Sequence, residues 1–217
     1  MINLQEAKEC FDEMMLKLDI NDINALWESC GVTSYSFYQC FAKLYGVQLR
    51  QGASKGCIIP LDKNFVFKLE IDSCDRDFFN DKNYYCETEA RTYKDMKDCY
   101  LNQYFAQTEF LTDYFGIRIY VQEKVEPFCE WHSCDNWITC EQNGMLDKIT
   151  STIDKSQNNW DTIPEEWAAD FVMEYGLEEF EVLLNTLDEY EINDIHDGNV
   201  GYIKDKPVIF DYSGWHG

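Results

Sequence analysis

Positive charge is scarce in this 217-residue chain: 18 Lys and Arg stand against 41 Asp and Glu, a formal net charge of −23. That deficit argues against direct binding to DNA or RNA phosphates and to anionic membrane surfaces, because every such approach is repelled. Long apolar runs are missing as well, and none approaches the ~20 residues that span a bilayer. The first residues, Met1-Ile-Asn-Leu-Gln-Glu, lack a basic segment followed by an apolar one, so no signal peptide is visible. The ten cysteines are therefore expected to be reduced and mostly buried, in a cytoplasmic compartment. Paired Cys-x-x-Cys knuckles are absent too. Cys129, His132, Cys134 and Cys140 are zinc-competent types, but their irregular spacing favours a buried aromatic-thiol cluster over a metal site.

What the chain has is apolar material: 45% hydrophobic and 16% aromatic residues argue against disorder despite the charge. The length suffices for one large domain or two small lobes. Charge alone fits either a well-solvated acidic exterior or a surface that docks a basic partner and imitates nucleic acid.

Residues 3 to 18 place Leu4, Ala7, Phe11, Met14, Met15 and Leu18 at helical spacing behind a capping Asn3, with Glu6 three residues on. Two further helices are predicted, Asp22 to Cys30 and Tyr35 to Tyr45, each ending at a glycine. Residues 1–46 thus read as a helical extension that packs on a lobe or contacts a partner. From Val47 the texture changes to three strands, with turns at Arg50 to Gly56 and at Asp62 to Asn64, the third strand running Phe65 to Ile71. Asn83 to about Phe105 reads as a long helix on which Tyr85, Glu89, Tyr93, Met96 and Tyr100 form one stripe. A carboxylate on a buried stripe wants a partner. The alternative is Glu87, or a surface glutamate paired with Arg91 or Lys94.

A strand is predicted over Ile117 to Val125, an irregular segment over 128–163, and two helices over Pro164 to Tyr175 and Leu177 to Tyr190, separated at Gly176. The last stretch, Ile192 to Gly214, carries Asp194 and Asn199 five apart around Gly198. Two short strands joined by Lys204-Asp205-Lys206 follow, with Asp211 where the second one stops. Turns use Asp, Asn and Gly in any case, so an ordinary surface hairpin is the competing reading.

Asp194-Ile-His-Asp-Gly-Asn199 followed by a hairpin and Asp211 resembles the catalytic segment of the protein-kinase-like superfamily, in particular its small-kinase and aminoglycoside-phosphotransferase version. The resemblance covers about residues 47 to 214. It implies an α+β, two-lobed kinase-like fold: a helical extension over 1–46, an antiparallel N-lobe with one helix over 47–126, and a truncated, mainly helical C-lobe over 127–217. It implies ATP and Mg2+ as cofactors, with Asp194 at the acceptor hydroxyl and Asn199 and Asp211 on the metal. Lys68, in Val66-Phe-Lys68-Leu, looks like the phosphate-side lysine, and Glu89 is its implied ion-pair partner. Gly52, Ser54 and Gly56 correspond to the glycine-bearing turn over the phosphates, and the backbone around Glu123 to Val125 to the adenine-binding hinge.

The chain departs from the pattern at Ile192-Asn193, where a His-Arg or His-Gly pair is usual, and at Tyr212-Ser213, which stands for Phe-Gly. Only six residues follow Asp211, which resembles the minimal kinases of bacterial effectors and phage-encoded proteins and implies neither an activation-loop switch nor an ordinary peptide groove. Two functions are expected: phosphoryl transfer from ATP to a hydroxyl, of a protein Ser or Thr or of the chain itself, or a pseudokinase-like acidic protein that inhibits a host or nucleic-acid-handling protein by docking its basic surface.

Overall fold

A computed structural model describes residues 1–18, 34–51, 55–71, 84–114, 116–128, 135–155 and 163–213. Within them the chain is α+β, with its strands paired antiparallel. It divides into two compact units: residues 1–93 with 107–124, and residues 94–106 with 125–217. No described helix is long and apolar enough to cross a membrane.

In the first unit, helix α1 (Leu4–Lys17) starts on Asn3, whose side-chain oxygen accepts the N–H groups of Gln5 and Glu6. Helix α2 (Ser34–Cys40) tightens into a 3-10 turn over Phe41–Lys43. A five-stranded sheet follows: β1 (Val47–Gln51), β2 (Lys55–Pro60), β3 (Phe65–Glu70), β4 (Thr108–Tyr114) and β5 (Ile117–Glu123), in the order β1-β2-β3-β5-β4. Strand alternation then sorts β3 into two faces. Phe65, Phe67 and Leu69 join Ile58, Ile119 and Val121 in a core completed by Phe11 of α1 and by Phe37, Tyr38 and Phe41 of the α2 segment. The rings of Phe11 and Phe67 meet edge to face at 5.4 Å. Val66, Lys68 and Glu70 point to the opposite face, and helix α3 (Tyr85–Asp98) supplies partners there for Lys68 and Glu70.

Residues 1–46 were expected as a helical extension that packs on a lobe or contacts a partner; their described helices pack into the core of the first unit, where the apolar face of the sheet has its buried partners in α1 and α2. The helix expected over Asp22 to Cys30 lies outside the described residues. Helix α3 stops at Asp98 rather than near Phe105, since Tyr100 takes a left-handed conformation (φ 63°) that ends the helical ladder. Strand β4 was not anticipated. Its pairing with β5 shifts register between Phe110 and Thr112, which breaks the period-2 signal that reveals a strand.

The second unit holds α4 (Asp135–Gln142), α5 (Leu146–Lys155), α6 (Glu165–Tyr175), α7 (Leu177–Glu189) and a three-stranded sheet. Its strands are β6 (Glu126–Pro127), β7 (Val200–Ile203) and β8 (Lys206–Ile209), with β7 in the centre. Residues 128–163 were expected to be irregular, yet α4 and α5 occupy two stretches of them, separated by Gly144 at φ 63°. In α5, Leu146, Ile149 and Ile153 do fall at helical spacing, so that helix was legible in the sequence, whereas α4 has only eight residues and offers little period to read. Helices α6 and α7 break at Gly176 (φ 100°), as expected. Their core is aromatic, Phe171 touching Trp167, Tyr175, Phe180 and Tyr104. The buried Trp167 indole N–H donates to the Gly201 carbonyl and so ties α6 to the hairpin. That hairpin turns through Lys204 and Asp205, both left-handed (φ 53° and 64°), the geometry that suits the twist of two-residue β-turns.

Candidate functional site

Two groups of candidate side chains are built, one inside each unit. In the first, Glu89 is fully buried on α3 and its two oxygens receive two different lysines: Lys68 Nζ of β3 at 2.6 Å and Lys55 Nζ of β2 at 2.7 Å. The lysine side chains are only 7% and 10% exposed. A buried carboxylate is tolerable only when paired and hydrogen-bonded, and both conditions hold here. The aromatic ring of Tyr85 lies 5.7 Å from the Lys55 ammonium. Glu87, the other glutamate considered for this position, lies on the exposed flank and pairs with Arg118.

The helix that carries Glu89 is itself pinned. Glu70, two residues beyond Lys68, accepts the Cys86 N–H in the first turn of α3 at 3.1 Å, where a carboxylate meets the positive end of the helix dipole. Burial pushes the Glu70 carboxyl up to about 7, the N–H bonds from Glu87 and Cys86 opposing the shift. Lys68, Glu70 and Lys55 share one face of the sheet. Cys57 stands opposite Lys68 and Lys55 opposite Glu70 in the β2–β3 register. Neither Lys55 nor Glu70 was singled out from sequence. Their signal exists only once the register is known, since it places both beside Lys68.

Gly52 and Ser54 lie outside the described residues. Gly56 sits within β2 rather than in a turn, and its bare Cα makes room for packing: a Cβ there would lie 2.7 Å from Ile71 Cδ1 and 2.8 Å from the Tyr38 ring. Tyr38 occupies that space while its hydroxyl donates to the Arg50 carbonyl at 2.6 Å. Gly56 is thus a close-packing glycine on the apolar face, within a strand where a turn was expected. The expected hinge is likewise partly committed. The Glu123 N–H donates to Gln107 O at 2.9 Å and the Lys124 N–H to Asn64 O at 2.8 Å, while the Glu123 carboxylate receives the Met1 ammonium. Those two N–H groups cannot also donate to a purine edge. Val125 follows at the start of the second unit.

In the second unit, Asp194, Asn199 and Asp211 meet at the open end of the β7–β8 hairpin. Buried Ile192 and Ile195 anchor the loop on either side of Asp194, and the Ile192 N–H closes onto the Leu187 carbonyl of α7. The Asn199 side-chain Nδ2 donates to the Asp194 carbonyl at 2.6 Å. Its own backbone carbonyl accepts the N–H groups of Phe210 (2.9 Å) and Asp211 (3.4 Å), so Asn199 and Asp211 are neighbours by strand pairing. Gly198 lets the loop close: its N–H donates to His196 Nδ1 at 2.9 Å, and a Cβ on it would fall 2.7 Å from His196 Cε1. His196 Nδ1 also lies 3.3 Å from Asp197 Oδ1, and its Nε2 faces Asp194 Oδ1 at 3.7 Å. The Asp194 carboxylate is half exposed. Tyr212 is fully buried, with its hydroxyl donating to Ala106 O at 2.7 Å, and this fixes the strand end that carries Asp211.

An amide oxygen and a carboxylate are the ligand types that a hard cation takes, Mg2+ characteristically binding one or two protein oxygens with substrate phosphates completing the shell, so Asn199 and Asp211 are of a type that could hold one. Among the described residues, no three His, Cys, Asp or Glu side chains gather as metal ligands by themselves. Cys129, His132 and Cys134 lie outside the described residues. Cys140 is buried in α4 with its Sγ 3.9 Å from Met145 Sδ.

No protein-family model matches this chain, and no curated protein is significantly similar to it.

Proposed function

We propose that the chain is a magnesium- and ATP-dependent phosphotransferase of the protein-kinase-like type, acting on a hydroxyl of protein Ser or Thr or of its own chain. The observation that carries this reading is the buried Lys68–Glu89 ion pair, in which a strand lysine is held by a helix carboxylate at 2.6 Å. Support for a kinase-like, two-lobed architecture comes from the division into a sheet-rich unit with that pair and a helix-rich unit whose hairpin bears Asp194, Asn199 and Asp211.

In this reading Lys68 bonds the α- and β-phosphate oxygens and Glu89 keeps its ammonium aimed at them. Asn199 and Asp211 would hold Mg2+, which when bound neutralises charge on the β- and γ-phosphates. Asp194 accepts the proton of the attacking hydroxyl. A bond forms from that oxygen to the γ-phosphorus, the bond to the β–γ bridging oxygen breaks, and ADP leaves. Nothing covalent is asked of the protein, so positioning and charge suffice.

A second reading is favoured by the net charge of −23 and by Ile192-Asn193 and Tyr212-Ser213 standing where the superfamily pattern has other residues. In it the chain is a pseudokinase-like acidic protein that docks the basic surface of a protein partner. Thermal unfolding with and without MgATP separates the two, because a ligand at 100 times its dissociation constant adds about 2.7 kcal/mol. Under the phosphotransferase reading MgATP stabilises the protein, Asp194→Ala abolishes transfer of labelled phosphate while sparing nucleotide binding, and Lys68→Met and Asp211→Asn each weaken the same MgATP complex. No thermal shift at millimolar MgATP leaves the docking reading in its place.

A further inference from the structure

Helix α3 carries Glu89 but has no capping residue at its own start. Its first internal bond runs from the Thr88 N–H to the Tyr84 carbonyl at 2.8 Å, which puts Tyr84 at the N-cap position and leaves the N–H groups of Tyr85, Cys86 and Glu87 without an acceptor in the helix itself. Ser, Thr, Asp and Asn cap from that position; Tyr does not. The cap comes from the sheet instead. Glu70 of β3 accepts the Cys86 N–H through Oε1 at 3.1 Å, and the Glu87 N–H bonds the same carboxylate. Lys68 and Glu70 share one face of β3, about 6.6 Å apart along the strand, while Cys86 and Glu89 lie about 4.5 Å apart along the axis of α3. One strand therefore grips the helix at two points, Lys68 on Glu89 and Glu70 on Cys86. A single ion pair between two flexible stems would let α3 roll or slide; the second contact fixes both. Lys55, opposite Glu70 on β2, bonds Glu89 as well, so the two anchoring carboxylates lie on either side of one cation.

We infer that Glu70 is a positioning residue for the proposed phosphoryl transfer: it caps α3 from the sheet and so sets where Glu89 holds the Lys68 ammonium. The inference rests on the phosphotransferase reading above and adds to it a residue that touches neither nucleotide nor metal. What the role requires is reach, an acceptor oxygen at the end of a stem of glutamate length.

The test compares the full chain with Glu70→Gln, Glu70→Met and Glu70→Asp by amide hydrogen exchange and by equilibrium binding of MgATP and adenosine, at a temperature where circular dichroism shows each variant folded. Gln keeps the acceptor and its reach and loses the charge. Met keeps the stem without an acceptor, and Asp keeps the charge but withdraws its oxygens by about 1.5 Å. The Cys86 and Glu87 amides are expected to be protected in the wild type and in Glu70→Gln, and to exchange about tenfold faster in Glu70→Met and Glu70→Asp. Those two variants should bind MgATP roughly tenfold more weakly, the size of a lost charged hydrogen bond from Lys68 to phosphate. Adenosine affinity should stay the same in all four proteins, because Lys68 meets only the phosphates, and Glu70→Gln should bind MgATP like the wild type. Unprotected Cys86 and Glu87 amides in the wild type overturn the inference. So do wild-type MgATP affinity in Glu70→Asp, equal losses of MgATP and adenosine, or a Glu70→Gln variant as weak as Glu70→Met. Should Glu70→Met fail to fold, Glu70→Asp against Glu70→Gln decides alone. If the exchange pattern is as expected but the wild type binds no MgATP, the phosphotransferase reading fails and the positioning role with it, leaving Glu70 as the cap of α3.

Discussion

Glu87 and Glu89 lie two residues apart on α3 and differ only in the face they occupy, which makes them an internal control for the charge cluster. Removing the Glu89 charge in Glu89→Gln leaves the ammonium groups of Lys55 and Lys68 without the carboxylate that each contacts at under 2.8 Å. Breaking a buried ion pair from one side costs about 3–5 kcal/mol, because the surviving charge stays desolvated. For a chain of this size each kcal/mol moves the midpoint by about 2–4 °C, so the expected drop is roughly 6–20 °C. Glu87→Gln breaks only an exposed pair with Arg118, both side chains being more than 40% accessible. Such pairs contribute about 0–1 kcal/mol, and the midpoint should move by less than about 4 °C.

A third variant sharpens the test. Glu89→Gln/Lys55→Met removes one of the two stranded cations and should recover part of the loss, since Met keeps the apolar stem. Far-UV circular dichroism melts at fixed pH and low salt measure all three. Equal losses in Glu87→Gln and Glu89→Gln, or no recovery in the double variant, would refute the shared-carboxylate account.

Glu70 gives a pH signature. Its folded carboxyl titrates near 7 against an ordinary 4.5, so the folded state favours the protonated form; this contribution is whole below about 4.5 and is lost as pH rises through 7. Glu70→Gln mimics the protonated form permanently, and after allowing for solvent screening of a partly exposed group it should exceed wild-type stability by about 1–2 kcal/mol at pH 8 and by nothing near pH 4.5. Urea midpoints at both pH values check this, and parallel curves would count against it. The two packing glycines should rank by what each obstructs. In Gly201→Ala the new Cβ falls 2.3 Å from the Glu126 backbone carbonyl, which cannot move without breaking the β6–β7 pair. In Gly56→Ala it meets the side chains of Ile71 and Tyr38, so about 1–3 kcal/mol is expected there and more at Gly201. Melting midpoints in the reverse order would contradict the packing argument.

Local pattern carried much of this molecule. The stripe through Tyr85, Glu89, Tyr93 and Met96 was enough to choose Glu89 over Glu87, because helical spacing alone decides which side chains share a face. The hairpin after Asn199, the break at Gly176 and the strand bearing Lys68 were legible for the same reason: each depends on neighbours within a few residues. What the sequence could not show is set by pairing across long separations. Lys55 joins Glu89 only because β2 lies beside β3 in one register, and a shift of one residue would turn it to the apolar face with Gly56. Strand β4 stayed hidden behind a register shift, and where α1 and α2 pack was decided by the apolar face that Phe65, Phe67 and Leu69 present and those helices cover. Periodicity is a property of the chain, whereas which carboxylate meets which lysine is a property of the packed sheet.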